Sequence, residues 1–172
     1  MSLITTCRPL YDRLLRLLNL LQSPALLFIR LYWGYQFFQS GWGRLHNMSK
    51  AIDFFTQLGI PLPVFNAYFV SLLECVGGIL LILGLASRLI SIPLIVDMLV
   101  AYITADREAF TSFFSDPDKF MAAAPFTFLF ASLLIMVFGP GSISLDYLIK
   151  RFIEKRNGPP TTPATPTISS EL

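Results

Sequence analysis

Three ionisable residues interrupt stretches of the chain that are otherwise apolar enough to cross a lipid bilayer. They are Arg30, Glu74 and Asp97, and each lies in a different stretch. A charged side chain at the centre of a bilayer costs roughly 2.5 to 3.5 kcal/mol on insertion scales, so such residues usually face the interior of a helix bundle and find partners there. The pattern predicts an intramembrane polar site that either handles protons, a quinone or a substrate, or only fixes helix register.

The composition indicates that the elements carrying these residues are membrane helices. Of the 172 residues, 54% are hydrophobic and only 14% are charged, whereas soluble domains have about 25% charged residues. Four stretches approach the roughly 20 apolar residues that a membrane helix needs: 24–41, 64–86, 89–105 and 121–138. We therefore expect an all-α membrane protein whose domain, residues 24–149, is a four-transmembrane-helix bundle.

The two ends of the chain differ from this domain. Within residues 1–23, the segment from Leu10 to Leu21 has leucines on one side and polar residues on the other at helical spacing. This predicts an amphipathic helix at the membrane interface or, as an alternative, a cytoplasmic helix packed on the end of the bundle. Ser23 as N-cap and Pro24 at the first helical position are expected to begin the first membrane helix. Residues 150–172 are first basic and then rich in proline and threonine, which predicts a disordered tail, with a short surface helix over 144–154 before it.

The basic residues indicate how the bundle is oriented. Four of them, Arg44, Lys50, Arg107 and Lys119, lie in the connections expected on one side. Eight lie at the opposite side: Arg8, Arg13, Arg16, Arg88, Lys150, Arg151, Lys155 and Arg156. Because positive residues accumulate in cytoplasmic segments, both termini are expected to be cytoplasmic.

The faces that carry the charges also carry small residues. At about 100° per residue, Arg30 shares a stripe with Gly34 and Gly41, and Glu74 shares one with Ser71 and Gly78. Small residues let helices approach closely, so the charged faces are expected to be the packing faces. We predict a contact between Arg30 and Glu74, with Asp97 as a second acceptor. One cation does not balance two carboxylates, so the acid pair is expected to hold one proton near neutral pH.

Further polar and small residues are weaker candidates for the lining of a pocket. They are Gly34, Gln36, Gly41, Trp42, Asn66, Ser71 and Cys75. Each also has an ordinary structural interpretation, as an interhelical hydrogen-bonding group or as a packing residue. The two cysteines form no Cys-x-x-Cys pair, and the one histidine, His46, has no neighbouring metal ligands, so no metal site is expected. The formal net charge of +2 is too small to indicate a nucleic-acid partner.

Six short motifs, taken in order, resemble the DoxX family. They are RLYWG at 30–34, QSGWGRL at 39–45, LGIPLP at 58–63, ECVGG at 74–78, LGLASRL at 83–89 and FGPGSISLD at 138–146. The resemblance covers residues 24–149 and implies a four-helix protein of a bacterial-type cytoplasmic (inner) membrane. Arg30 and Glu74 occupy positions that match polar residues of the family's motifs.

The resemblance also implies a function. DoxX-like proteins are named by similarity to a small subunit of a thiosulfate:quinone oxidoreductase. The expectation is an accessory or small subunit of a quinone-linked redox or oxidative-stress complex, with a quinone and an oxidoreductase as partners and no catalytic activity alone. Arg107 to Phe110 stand where relatives often have a histidine, so histidine-dependent chemistry is not expected. Two alternatives stay open: a non-enzymatic membrane scaffold, and a small-solute or proton transporter that acts as a homo-oligomer.

Overall fold

The computed structural model describes residues 2–157, with side chains from residue 20 to residue 156. Over this range the chain forms eight helices and no strand, which confirms the predicted all-α class. The helices are α1 (Ser2–His46), α2 (Met48–Gln57), α3 (Pro63–Leu83), α4 (Ser87–Thr104), α5 (Arg107–Thr111), α6 (Pro117–Ala122), α7 (Ala124–Phe138) and α8 (Leu145–Asn157).

The first helix runs without a break through the position where a boundary was predicted. Helix α1 is 45 residues long, so the expected separation at Ser23 and Pro24 is wrong. An N-cap serine must accept a hydrogen bond from its own helix. The Ser23 hydroxyl instead lies 2.8 Å from the Ser142 hydroxyl and accepts from the Ser142 N–H at 3.3 Å. The predicted division of polar and leucine side chains before residue 20 lies outside the described side chains.

Four helices form two extensively packed pairs, α1 with α3 and α4 with α7. A short turn joins α3 to α4: Gly84 ends α3 in the left-handed conformation with φ 68°, and α4 begins at Ser87. So short a connection makes the two helices antiparallel neighbours. The core between the pairs is formed by Phe37, Leu81, Leu94, Met98 and Ile135.

The contact between α1 and α3 depends on small residues, as the sequence predicted. A Cβ placed on Gly41 would lie 2.5 Å from the Ser71 carbonyl oxygen and 2.6 Å from the Cys75 amide nitrogen. A Cβ on Gly34 would lie 2.9 Å from the Gly78 carbonyl oxygen. Such distances are below any ordinary van der Waals contact, so the two backbones touch where these glycines lie. This close approach brings the polar residues of α1 and α3 together.

Two helices, α3 and α4, are each long and apolar enough to cross a membrane, and α7 is a shorter apolar helix. Helix α7 begins later than the predicted stretch 121–138, because Met121 and Ala122 belong to α6 and Ala123 is extended. Pro125 lies in the first turn of α7, where a missing N–H is tolerated.

The connection between α4 and α7 contains the short helices α5 and α6. Asp116 begins α6, because its side chain accepts a hydrogen bond from the Lys119 N–H at 3.1 Å. The fully buried Tyr102 stacks on Phe120 with ring centroids 5.0 Å apart and donates to the Phe120 carbonyl oxygen. These aromatic contacts hold the connection against the end of α4.

The last described helix, α8, agrees with the predicted surface helix over 144–154 and extends to Asn157. The rest of the predicted disordered tail lies outside the described residues.

Candidate functional site

Arg30 does not contact Glu74, and the predicted pair is wrong. Its side chain is 1% exposed, and the guanidinium binds the main chain between α7 and α8: Nη1 donates to the Pro140 carbonyl oxygen, and Nη2 donates to that of Ile143 at 2.8 Å. Gly84 leaves room for the guanidinium, since a Cβ there would lie 2.5 Å from Nη1. The Nε atom has no protein partner. Arg30 therefore attaches the closing motif to the bundle.

The cation beside Glu74 is Arg44, near the C-terminal end of α1. Arg44 Nη1 lies 2.6 Å from Glu74 Oε2, with side-chain exposures of 34% and 2%. Fourteen residues separate Arg30 from Arg44, which is about 21 Å along a helix. A single guanidinium cannot reach both places along α1, so Glu74 is paired with the second arginine, Arg44.

Asp97 lies beside this pair, so it is not the second acceptor for Arg30 that the sequence predicted. Its carboxyl interacts with that of Glu74, and the Arg44 charge also acts on it. Two ionised carboxylates are only acceptors, and Asp97 Oδ2, which is shielded from solvent, has no donor. The expectation that the acid pair holds one proton stays a prediction.

The three side chains line one cavity of about 280 Å³. Its other walls are mostly apolar and come from α2, the connection to α3, the first half of α3 and the last turns of α4; they include Phe54, Phe55, Leu58, Ile60, Pro61, Val70, Met98 and Ala101. Arg44 also lines a second cavity, of about 360 Å³, on the side of α1 and α2 that carries Gln39 and Lys50. The first cavity, beside Arg44, Glu74 and Asp97, thus combines apolar walls with a few converging polar groups, which is typical of sites for small organic ligands.

Of the weaker sequence candidates, Asn66 lines this cavity, and its Nδ2 donates to the Pro61 carbonyl oxygen at 2.6 Å. Gly34, Gly41, Ser71 and Cys75 are buried where α1 meets α3 and are not among the lining residues.

Gln36 and Trp42 also lie away from the cavity. Gln36 Nε2 lies 3.5 Å from the Tyr32 hydroxyl, and Trp42 is half exposed and stacks on Phe38.

Arg44 and the aromatic wall of α2 were missed as site residues. The signal for Arg44 was present: the stripe through Arg30, Gly34, Phe37 and Gly41 reaches Arg44 one turn later. Phe54 and Phe55 were not among the predicted lining residues, yet both line the cavity, and Phe55 is buried against Ala51 and Ala67. A sequence pattern cannot tell a membrane-facing phenylalanine from one that closes a cavity.

A second polar cluster surrounds the start of α4. Asp146 accepts hydrogen bonds from the N–H groups of Ala86 at 2.8 Å and Ser87 at 3.2 Å, and its own N–H donates to the Gly84 carbonyl oxygen at 3.0 Å. It thereby satisfies donors at a helix N-terminus and stabilises Ala86 in the left-handed conformation, φ 49°. Together with Arg30, this cluster fixes the closing motif, FGPGSISLD at 138–146, against the bundle.

Among the described residues, no group of three His, Cys, Asp or Glu could hold a metal ion.

Comparison with known proteins agrees with the motifs. The DoxX family profile matches residues 25–107. The putative oxidoreductase CatD of Bacillus subtilis (strain 168) is 31% identical over 77% of this chain and 90% of its own length. The uncharacterized membrane protein Rv3486 of Mycobacterium tuberculosis (strain ATCC 25618 / H37Rv) is 28% identical over 76% of this chain and 85% of its length. No solved structure matches. The chain is a membrane protein that belongs to the DoxX family.

Proposed function

We propose that this protein is a small membrane subunit of a quinone-linked redox complex, and that the cavity beside Arg44, Glu74 and Asp97 takes the head group of a quinone. The observation that carries the proposal is the cavity itself, which places one guanidinium and two carboxyls against apolar and aromatic walls. The Bacillus subtilis relative is named a putative oxidoreductase, which supports a redox role.

The residues of the cavity fit a quinone head group. Such a group is a flat apolar ring with two carbonyl oxygens, each of which accepts hydrogen bonds. Arg44 can donate to one of them, and a protonated carboxyl of the acid pair can donate as well. The volume of about 280 Å³ lies just below the roughly 300 to 1,000 Å³ found for small-molecule sites. It therefore suits a ring better than a whole lipid-like molecule.

A bound quinone supplies a carrier that takes up two electrons and two protons to become a hydroquinone. Arg44 would orient one carbonyl oxygen by donating to it. The pair of Glu74 and Asp97 would hold one of the two protons beside the ring, and water would supply the other. The electrons come from a partner oxidoreductase that carries a two-electron cofactor such as a flavin. In this division of labour the chain binds, orients and supplies protons, and the partner performs the oxidation.

Four membrane-crossing helices, formed by residues 24–41 of α1 and by α3, α4 and α7, complete the proposal. Their outward faces carry exposed apolar residues such as Phe28, Leu72, Ile92 and Phe130, while Arg30 and Glu74 are buried between them. This inverted distribution suits a lipid environment. We place the protein in a bacterial cytoplasmic membrane with both termini cytoplasmic, and enzyme fusions at Asn157 and at Asp53 should be active on opposite sides.

Quinone binding can be tested by calorimetric titration of the purified full-length chain with a ubiquinone that carries one isoprenoid unit. Ala101→Phe fills the cavity and should weaken binding about tenfold or more, because overpacking leaves no space for the ring. Ala25→Phe, on an exposed position of α1, is the matched control and should bind as the wild type does. No saturable binding, or equal binding in both variants, would reject the quinone site.

The partner can be tested by native mass analysis of the protein after gentle solubilisation from its own membranes. A stoichiometric oxidoreductase should be recovered with it. Recovery of this chain alone, as a monomer or a homo-oligomer, would contradict the subunit role.

A second candidate is transport of a small cation or a proton by a homo-oligomer. The buried and donorless Asp97 Oδ2 favours it, because an unmatched carboxylate beside a cavity attracts a cation. Vesicles that contain only this protein would distinguish the two candidates, since the redox subunit should give no flux and a transporter should give flux that Asp97→Asn abolishes.

A further inference from the structure

A separate cleft lies at the end of the molecule opposite to the Arg44 cavities, where α8 leaves the bundle. It has a volume of about 610 Å³ and lies between the start of α4, the Gly139–Gly141 turn and the first turns of α8. Two cations, Arg88 and Lys150, line it together with the apolar side chains of Leu89 and Phe138. The proposed quinone site uses none of these residues.

The negative residue of the cleft, Asp146, does not cancel these cations. Both of its carboxylate oxygens accept hydrogen bonds from main-chain N–H groups at the start of α4, and the Arg30 guanidinium also acts on it. Arg88 donates one hydrogen bond, to the Val137 carbonyl oxygen at 3.2 Å, and its guanidinium has further N–H donors. Lys150 reaches only a 4.0 Å contact with Glu154. The cleft is therefore a cationic site with donors to spare.

Helix α8 continues this surface. Every described side chain from Tyr147 to Arg156 is exposed, including Phe152 at 70%. At 100° per residue its apolar side chains share one face, namely Leu145, Leu148, Ile149, Phe152 and Ile153. Its four cations, Lys150, Arg151, Lys155 and Arg156, outnumber its two acids. A helix with an apolar face and a basic excess is typical of elements that lie on anionic membrane surfaces.

The position of α8 relative to the bundle indicates what covers its apolar face. Arg30 binds the carbonyl oxygens of Pro140 and Ile143, so the segment before α8 is held at the bundle end. Directly beside the cleft, Leu89 is 72% exposed and Phe138 is 53% exposed, both on helices with lipid-facing apolar surfaces. Acyl chains that cover Leu89 and Phe138 would bring their own phosphate to the level of Arg88 and Lys150.

We propose that this cleft is a binding site for an anionic phospholipid, with the phosphate between Arg88 and Lys150, the acyl chains against Leu89 and Phe138, and α8 lying on the same lipid surface. The proposal is independent of the quinone site, because its residues lie at the other end of the bundle.

The test is native mass spectrometry of the full-length chain, with phosphatidylglycerol titrated against a background of phosphatidylcholine. The wild type should retain phosphatidylglycerol preferentially. The double variant Arg88→Gln with Lys150→Gln should bind it roughly tenfold or more weakly, since each cation near a membrane surface contributes substantially to anionic-lipid binding. The matched control, Lys50→Gln with Arg107→Gln, removes the same charge from the other end and should stay close to the wild type.

Three outcomes would overturn the site: equal phosphatidylglycerol binding in the cleft variant, an equal loss in the control, or displacement of the lipid by inorganic phosphate at matched concentration. Thermal unfolding in the same detergent shows whether both variants are folded.

The position of α8 has its own readout. A fluorophore on Phe152→Cys, with Cys7→Ser and Cys75→Ala in the background, should be quenched by brominated lipids in phosphatidylglycerol vesicles. Unquenched emission from the folded protein would overturn the placement of α8. Emission that is protected from quenching because a protein partner covers position 152 would overturn it as well.

Discussion

The two arginines of α1 lie in the same helix and make opposite kinds of site. Arg30 is 1% exposed and binds neutral carbonyl oxygens of a single turn. Arg44 is one-third exposed, binds an ionisable carboxyl, and lines a cavity where Asp97 Oδ2 has no donor. The first arrangement uses both Nη groups to hold the closing motif against the bundle, whereas the second leaves a carboxylate oxygen of Asp97 without a donor beside the cavity. The difference indicates which buried charge supports the structure and which can meet a ligand.

The strongest way to break this comparison is to remove each arginine in turn. Arg30→Gln should lower the free energy of unfolding by about 3 kcal/mol or more, because two hydrogen bonds from a charged donor are lost and buried carbonyl oxygens stay unpaired. Arg44→Gln should cost clearly less, because its side chain is partly exposed. Unfolding in mixed micelles, followed by tryptophan fluorescence, measures both. A larger loss for Arg44→Gln would reverse the assignment.

The glycine contact that positions Glu74 beside Arg44 offers a second test. Gly41→Leu should destabilise the protein by about 1 to 3 kcal/mol, because the new side chain must separate α1 from α3. Gly43→Leu is the matched control, since a Cβ there meets nothing within 4 Å. Equal unfolding midpoints for the two variants would show that α1 and α3 are not in close contact in the membrane.

The cap at the start of α4 sharpens the structural half of the comparison. Asp146→Ala should cost about 1 kcal/mol, the usual loss for a helix N-cap acceptor. Asp53→Ala, on the exposed face of α2, removes the same charge and should change the unfolding free energy little. If both variants unfold alike, Asp146 does not hold α4.

The smallest effect is expected for an exposed ion pair outside the bundle. Lys119 lies 2.9 Å from Glu108, and its hydrogen bond and charge lower the pKa of that carboxyl. A lowered pKa in the folded state stabilises the protein above the pKa of the unfolded chain, and the contribution is lost as the pH falls through the folded value. The wild type should therefore exceed Lys119→Gln slightly at neutral pH and match it at about pH 3, below the reference pKa of glutamate. A difference that persists in acid would have another cause.

Much of the architecture follows from composition and helical periodicity. The four apolar stretches, the turn before Ser87 and the glycine faces of α1 and α3 were predictable, because each depends on local patterns. The continuity of α1 was not, because Ser23 and Pro24 have the local signature of a helix start. Only the contact with Ser142, 119 residues away in sequence, shows how Ser23 is used.

The membership of the polar site was predicted in part. Glu74 and Asp97 do meet, but pairing by charge alone selected the arginine inside the apolar stretch and assigned Arg44 to a connection. Two factors decide which arginine pairs with Glu74: the distance between Arg30 and Arg44 along α1, and the presence of other acceptors beside Arg30. The carbonyl oxygens of Pro140 and Ile143 satisfy Arg30, and no sequence pattern reveals that main-chain atoms so distant in sequence will do so.

The unbroken course of α1 has a mechanical consequence. A helix resists stretching, so the contacts that hold Arg30 also fix the position of Arg44 along the helix axis, about 21 Å away. The guanidinium that faces the cavity is thus held in place before any ligand arrives, and the ordering cost is met during folding instead of during binding. Loosening the clamp at Arg30 would for that reason weaken affinity at a distance, even though no atom of the cavity is altered.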